Sequence, residues 1–399
     1  MRILQISISF PKNGGGLYKD LALKLKSRGH DVSIVVIDAN ADSKDGCVHA
    51  EDGLEVVRVK SGPVFNVGKF QKGISFLKFP FVLKSAIKKN FTNRNFNLIL
   101  FMAPPVTLYP AVKWAMKYFK CPSYLMQKDI FPQNAVDLGF FGKRSLAYLY
   151  FRMMEKNMLK TATKIGCMSR GNIKYLLKHN KFLSPDKVDL FPNTKDAQPI
   201  PCSNKPDFLK KYNLPPNSCV FLFSGNMGKP QNIPLICEAM KYFSDDKSIA
   251  FVAIGSGTES RKLKSFIAEN NLTNSVFIEA LPRKKYEKLA ASCDVGIVSL
   301  DPRFTIPNYP SKTLSYMESS QPIVAATDLA TDYKDLIQCE ANCGLWSDAN
   351  YPQKFFENIK KLSCDENLRK TLGANGRRYM IEHFNLDKSV EIIEKNFQH

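Results

Sequence analysis

The stretch that most constrains this chain is VFLFSGNMGKPQNIPLICEAM, residues 220–240. Residues 220–223 have the length and composition of a buried strand, Ser224-Gly225-Asn226-Met227-Gly228 breaks the run, and apolar residues resume with a helical period at Ile233, Leu235, Ile236 and Ala239. The pattern is strand, glycine loop, helix. Such a loop turns backbone N–H groups toward whatever lies beyond the strand's carboxyl end, and the helix that follows adds partial positive charge there. The guest it suits is an anion, a phosphate above all, and Lys229 inside the turn could neutralise one. Glycine turns also join strands to helices for geometric reasons alone, so the loop by itself leaves both readings open.

Strand–helix alternation runs through both halves of the chain. In the first, residues 2–9 read as a strand, Asn13-Gly14-Gly15-Gly16 as the turn into a helix carrying Leu17, Leu21, Leu23 and Leu25, and residues 32–37 as the next strand. The three glycines are contiguous and lack the spaced dinucleotide fingerprint, so no nicotinamide cofactor is indicated. Further strands are expected at 54–60, 96–101, 123–126, 164–168 and 188–191, and in the second half at 220–223, 250–254, 276–279, 295–299 and 323–326, with helices from 351 onward. The polar stretch 194–206, with three prolines, reads as a linker. The expected organisation is a first domain over 1–195, a linker over 196–206, a second domain over 207–380, and a terminal helix over 381–399 packing back on the first. The fold class is α/β, with two doubly wound Rossmann-like domains. Ligands in such folds sit beyond the carboxyl ends of the strands, here in the expected cleft between the domains.

Charge is unevenly distributed. The net charge is +20, and residues 56–128 hold thirteen lysines and arginines without a single Asp or Glu. A field of that kind suits an anionic membrane surface, a diphosphate-bearing substrate or nucleic acid. The span carries none of the recognised nucleic-acid motifs. Within it, residues 65–90 interleave Phe70, Phe76, Phe79 and Phe81 with lysines and are broken by Pro80, a composition that fits the headgroup boundary of a bilayer. Lys69, Lys72, Lys78, Lys84 and Lys88 are therefore assigned to acceptor or membrane contact. A helix whose apolar stripe faces the sheet is compatible with the same residues. Ten dispersed cysteines, without a Cys-x-x-Cys pair or histidines at ligand spacing, read as free thiols in a reducing cytoplasm, and no metal is expected. No run approaches the length of a membrane span, and residues 1–11 read as a first strand rather than a secretory leader. The expectation is a soluble or peripheral protein.

The strand-end loops of the second half hold the candidate chemistry. They are 224–231, Gly255-Ser256-Gly257, 279–283 and Asn308-Tyr309-Pro310-Ser311-Lys312-Thr313. In the last, Pro310 precedes a helical run and Ser311 can cap it, so Lys312 and the first N–H groups form a second anion seat. With SGNMGKPQNI opening the second half, IGSG after its second strand and YPSKTLSYMESSQPIVA near its end, the chain resembles glycosyltransferase family 4 of the GT-B fold. It is most similar to the bacterial subgroup that builds O-antigen and capsule repeat units, including transferases of N-acetylated aminodeoxy sugars.

The resemblance implies a nucleotide-diphosphate sugar in the second domain, a UDP-sugar before a GDP-sugar, transferred with retention, without a metal or other cofactor. It implies that Gly14, Gly15 and Gly16 approach the donor phosphates and that Asn226 and Lys229 fall at the cationic phosphate contacts. There Asn226 replaces an Arg and Gln231 a Lys. Gly225, Gly228, Gly255, Gly257, Leu281 and Arg283 correspond to the donor loop and the nucleobase wall, and Pro310, Ser311 and Lys312 to the helix facing the diphosphate. Lys128 and Asp129 correspond to the loop that meets the sugar or acceptor, with Asp129 as the candidate base. The chain departs from the family where two glutamates stand eight positions apart, which here fall near Pro307 and on Ser315, the ribose position. Glu318 and Ser320 also occupy places of small residues and Gly. The expected acceptor is a polyprenyl-diphosphate-linked saccharide at an anionic membrane surface, with the protein peripheral on the inner face of the cytoplasmic membrane. A GT-B nucleotide-sugar epimerase and a catalytically impaired lipid- or saccharide-binding relative are the alternatives.

Overall fold

A computed structural model describes residues 1–38, 41, 46–62 and 69–397, the side chains of 69–74 excepted. The chain forms two compact units, Met1–Thr194 with Leu386–His399, and Lys195–Asn385. Each is a sheet covered by helices.

In unit 1 the strands are β1 (Arg2–Ser7), β2 (Asp31–Asp38), β3 (Val48–Glu51), β4 (Leu54–Lys60), β5 (Leu98–Ala103), β6 (Ser123–Gln127), β7 (Lys164–Cys167) and β8 (Val188–Leu190). Their order is β3-β4-β2-β1-β5-β6-β7-β8, parallel except for β3, which pairs antiparallel with β4. The central strands are buried on both faces, as in the fully buried LILFMA of β5, and this is why they read as continuous apolar runs. The edge strand β3 escaped the sequence reading because its four residues, VHAE, are too few and too exposed to mark a buried face.

The helix Lys69–Phe91 runs straight through Pro80, where a break was expected. Phe79, Leu83 and Ile87, each fully buried, anchor both sides of the proline to the core and offset the missing backbone donor. The terminal helix Leu386–Phe397 lies against the helix Leu17–Ser27, held by buried Val390 and Ile393 and by Lys24–Asp387 at 2.7 Å.

Unit 2 comprises β9 (Cys219–Asn226), β10 (Ile249–Ser256), β11 (Ser275–Glu279), β12 (Val295–Ser299), β13 (Ile323–Thr327) and β14 (Gly344–Asp348), in the order β11-β10-β9-β12-β13-β14 and all parallel. The polar stretch read as a linker belongs to this unit. Buried Glu318 accepts the Gln198 N–H at 3.1 Å and the ammonium of Lys195, so this carboxylate holds the stretch in place.

Candidate functional site

Unit 2 is organised by the splay of β9 and β12. They pair only at Phe221 with Val295 and Leu222 with Gly296. The chain order reverses at this point, which is where an open parallel sheet offers a crevice beyond its strand ends. Tyr316 fills the gap. Its hydroxyl accepts the Ser224 N–H at 3.1 Å and shares its proton between the carbonyls of Leu222 and Ile297, at 3.0 and 3.2 Å. The ring fits because residue 296 is glycine, where a Cβ would lie 2.3 Å from it. The sequence reading missed Tyr316, although a glycine inside the apolar strand VGIVS marks a close approach. Ser224 Oγ continues the cluster to the Tyr286 hydroxyl at 2.9 Å.

The glycine loop differs from its expectation. β9 does not end at Ser224 but pairs with β10 as far as Asn226 with Ser256, and the Met227 N–H donates to the Ser256 carbonyl at 2.9 Å. Gly225 has φ +98, and a Cβ on Gly255 would sit 1.9 Å from the Gly225 carbonyl oxygen. At Gly257 it would sit 2.5 Å from that of Met227. These glycines let two strands approach. The Met227 N–H, expected to face an anion, is used within the protein.

Lys229 is exposed on the short turn Lys229–Gln231. The Asp301 N–H reaches the Pro230 carbonyl at 3.0 Å and ties the segment after β12 to this turn. Arg303, a cation the sequence reading passed over, forms a two-pronged pair with Asp301 at 2.9 and 2.6 Å.

Ser311 is the second correction. It is exposed, has helical φ and ψ, and its side chain makes no capping bond to the helix Lys312–Glu318. The N–H groups of Thr313 and Leu314 turn back to the carbonyls of buried Pro310 and of Ser311, so the expected array of free donors is partly consumed. What remains is the Lys312 side chain. Its Nζ is buried without a hydrogen-bond partner, 4.1 Å from the centroid of Phe223 on β9. Burial pushes the ammonium down to about 7. A cation held this way is costly until an anion meets it. Leu281 and Arg283 follow β11, two strands away from β9, and Arg283 bonds Glu287 of its own helix at 2.9 Å.

In unit 1, Gly14 has φ +77 and open space around it, while Gly15 and Gly16 are half-buried. The Gly16 N–H donates to the Asp20 carboxylate at 3.2 Å. After β6, Lys128 and Asp129 are half-buried neighbours. Lys128 Nζ lies 5.1 Å from the Phe191 centroid, and burial pushes it down to about 7. Burial raises the Asp129 carboxyl, Lys128 opposing the shift. Lys78, Lys84 and Lys88 are exposed on the helix Lys69–Phe91; the side chains of Lys69 and Lys72 lie outside the described residues. A concavity of unit 2, about 990 Å³, is at the opposite, amino ends of the strands, beside Asn217, Asp294 and Pro322. There Lys205 is paired with Asp294 and Lys370 with Glu366.

The family model of glycosyl transferases group 1 matches residues 204–379. The probable glycosyltransferase WbjE of Pseudomonas aeruginosa is 26% identical over 288 residues, 71% of this chain and 69% of its own. HepE of Anabaena, solved with UDP and glucose, superposes over 100% of both chains with a TM-score of 0.71 at 14% identity. WaaG, a glycosyltransferase involved in lipopolysaccharide biosynthesis, covers 100% of this chain and 99% of its own with a TM-score of 0.66 at 15% identity. At such identities the structural likeness speaks for the fold alone. The chain has the GT-B fold, and residues 204–379 of its second unit are similar to the glycosyl transferases group 1 family.

Proposed function

We propose that this chain transfers a sugar from a nucleoside diphosphate sugar, a UDP-sugar before a GDP-sugar, to a polyprenyl-diphosphate-linked saccharide in surface polysaccharide assembly. The observation that carries the reading is the Lys312 ammonium, buried and unpartnered beside Phe223 at the β9–β12 splay. The UDP and glucose bound by HepE and the lipopolysaccharide role of WaaG support the choice of donor and pathway class. In the proposed step the bond from the anomeric carbon to the diphosphate breaks and one to the acceptor oxygen forms, with retention. Negative charge collects on the leaving diphosphate, where Lys312, and Lys229 from its exposed turn, stabilise it in place of a metal ion. The acceptor hydroxyl loses its proton to a leaving phosphate oxygen or to Asp129, whose carboxyl burial holds above its ordinary value and so makes it a better proton acceptor.

The test is thermal stability in UDP and GDP without divalent cations, followed by product analysis with and without acceptor. Ligand that binds only the native state raises Tm according to its affinity. We expect UDP to raise it, and release of UDP from the sugar nucleotide to require acceptor. A changed sugar nucleotide formed without acceptor would make the chain an epimerase. No response to any nucleoside diphosphate would remove the donor site.

A further inference from the structure

Two loops of unit 2 are fastened to one another on both sides of Lys312. The loop after β12 leads through Asn308 and Tyr309 to Lys312, and the loop after β13 runs from Asp328 to Tyr333. The Asn308 N–H donates to Thr331 Oγ1 at 3.1 Å, and the Tyr309 hydroxyl donates to the Asp332 carbonyl at 3.4 Å. Beyond Lys312, the buried hydroxyls of Thr313 and Tyr333 share a hydrogen bond of 2.7 Å. The rings of Tyr309 and Tyr333 meet edge to face at 5.6 Å.

The second loop takes its shape from Asp328, which is fully buried. One carboxylate oxygen accepts the N–H groups of Ala330 and Thr331 at 2.9 and 2.8 Å, and the other accepts the Thr331 hydroxyl at 2.9 Å. Burial pushes this carboxyl up to about 6, the hydrogen bonds from Thr331 and the backbone opposing, so it is ionised at neutral pH. An ionised carboxylate only accepts, which commits the Thr331 proton to it and leaves a lone pair of Thr331 Oγ1 for Asn308. The first loop needs this support, because Ser311 makes no side-chain cap to fix the start of the helix Lys312–Glu318. A lysine stem ordinarily carries its ammonium out to water, whereas Lys312 Nζ is buried and unpartnered 4.1 Å from the Phe223 centroid. Keeping it inside is costly, so the backbone that carries it has to be held from elsewhere.

We propose that Asp328 and Thr331 are positioning residues for the donor: through the Asn308 N–H they clasp the loop that keeps the Lys312 ammonium seated at Phe223. Neither touches the substrate. They act through Lys312, which the fastening at Asn308 and Tyr309 on one side and at Thr313 on the other denies its way to water. The inference rests on the reading above that Lys312 meets the donor diphosphate, and it adds the residues that hold it ready.

The experiment is a double-mutant cycle on the full chain, read by urea unfolding at neutral pH without ligand, with UDP affinity measured calorimetrically on the same proteins. Lys312→Met is expected to raise the folding equilibrium constant about fivefold in the wild-type background, and by less than about twofold beside Thr331→Val, where the lysine is free to reach water. Thr331→Ser keeps the hydroxyl and is expected to preserve the full gain. Thr331→Val should weaken UDP about tenfold and Thr331→Ser by less than about twofold. If Thr331→Val does not fold, Asp328→Asn takes its place, since it keeps an oxygen for the two N–H groups and withdraws the acceptor of the Thr331 proton. Equal gains from Lys312→Met in both backgrounds would reduce the clasp to a local structural element and overturn the proposal. So would an unchanged UDP affinity in Thr331→Val. A wild type that binds no UDP would sink the transferase reading instead, and the ligand-free cycle would still decide whether Asp328 and Thr331 seat Lys312.

Discussion

The two units open with similar sequence devices, a first strand running into glycines with lysine close by, yet their surroundings differ. In unit 1 the Gly16 N–H is taken by Asp20. Lys19, in the same helix, is buried and bonded to the carbonyls of Pro11 and Lys12 and to Asp52. In unit 2 the loop glycines serve the approach of β9 and β10, and the cation at the site comes from far along the chain, in Lys312. A glycine turn thus marks a backbone geometry. A buried cation without a partner marks a ligand.

The strongest way to break this contrast is to replace Lys312 and Lys128 in turn. Lys312→Met should cost about 2–3 kcal/mol of UDP binding, roughly two orders of magnitude in affinity, and erase the thermal response. Without UDP the same variant should gain about 1 kcal/mol, because an uncompensated charge leaves the interior. Lys128→Met should leave the UDP response intact. If it erases the response as fully as Lys312→Met, the donor assignment to unit 2 is wrong.

The glycines give the next largest effect. Gly255→Ala places a methyl against the Gly225 carbonyl and should destabilise by about 3 kcal/mol or more in urea unfolding. Gly14→Ala meets open space and pays only for φ +77, about 1 kcal/mol. Equal losses would mean that the loop in unit 1 is under a constraint its contacts do not reveal.

These differences explain what the sequence could and could not convey. Buried parallel strands such as β5, β9 and β12 were legible because apolar runs bounded by turns have few other uses. The edge strand β3 was not, since its four residues are mostly exposed, and neither was the passage of a helix through Pro80, which depends on packing against elements distant in sequence. Lys312 was legible as a candidate from its position before a helix, but the mechanism first assigned to that place, Ser311 capping and free N–H groups, was not what the backbone adopts. Its isolation beside Phe223 is a tertiary fact. The same holds for Tyr316, whose role needs both Gly296 and the parting of two strands.

Proton linkage sharpens the contrast further. The Lys312 pKa is lowered to about 7 in the folded chain, below its unfolded value, so between these values the unfolded state holds more protons. Stability without ligand should therefore rise from about pH 7 toward about 10, by at most about 1.4 kcal/mol per unit for one group. Lys128, lowered in the same direction, adds to that slope. UDP binding should move the opposite way, because the diphosphate favours the charged lysine: its stabilisation should be full below about pH 7 and shrink as pH rises above it. Subtracting the Lys312→Met curves from wild type isolates this arm. A UDP response that is flat from neutral to alkaline pH would separate Lys312 from the phosphate.

The smallest effect tests the geometric half of the comparison in reverse. Ser320 has φ +52, the left-handed region, at the end of the helix Lys312–Glu318, and its carbonyl oxygen lies where a Cβ on Gly373 would approach to 2.0 Å. The chain here asks a side-chain-bearing residue to take a conformation that glycine adopts without cost. Gly14 and Gly225 hold comparable φ values with the residue that suits them. Ser320→Gly should relieve strain in the folded state and loosen the unfolded chain; the first gain is about 1 kcal/mol or more and the second offsets part of it, leaving about 0.5 kcal/mol of net stabilisation. Urea unfolding resolves a shift of that size at constant m-value. A destabilised variant would mean that the serine side chain contributes a contact worth more than the strain, and glycine at such positions elsewhere in the chain would then need a reason other than φ.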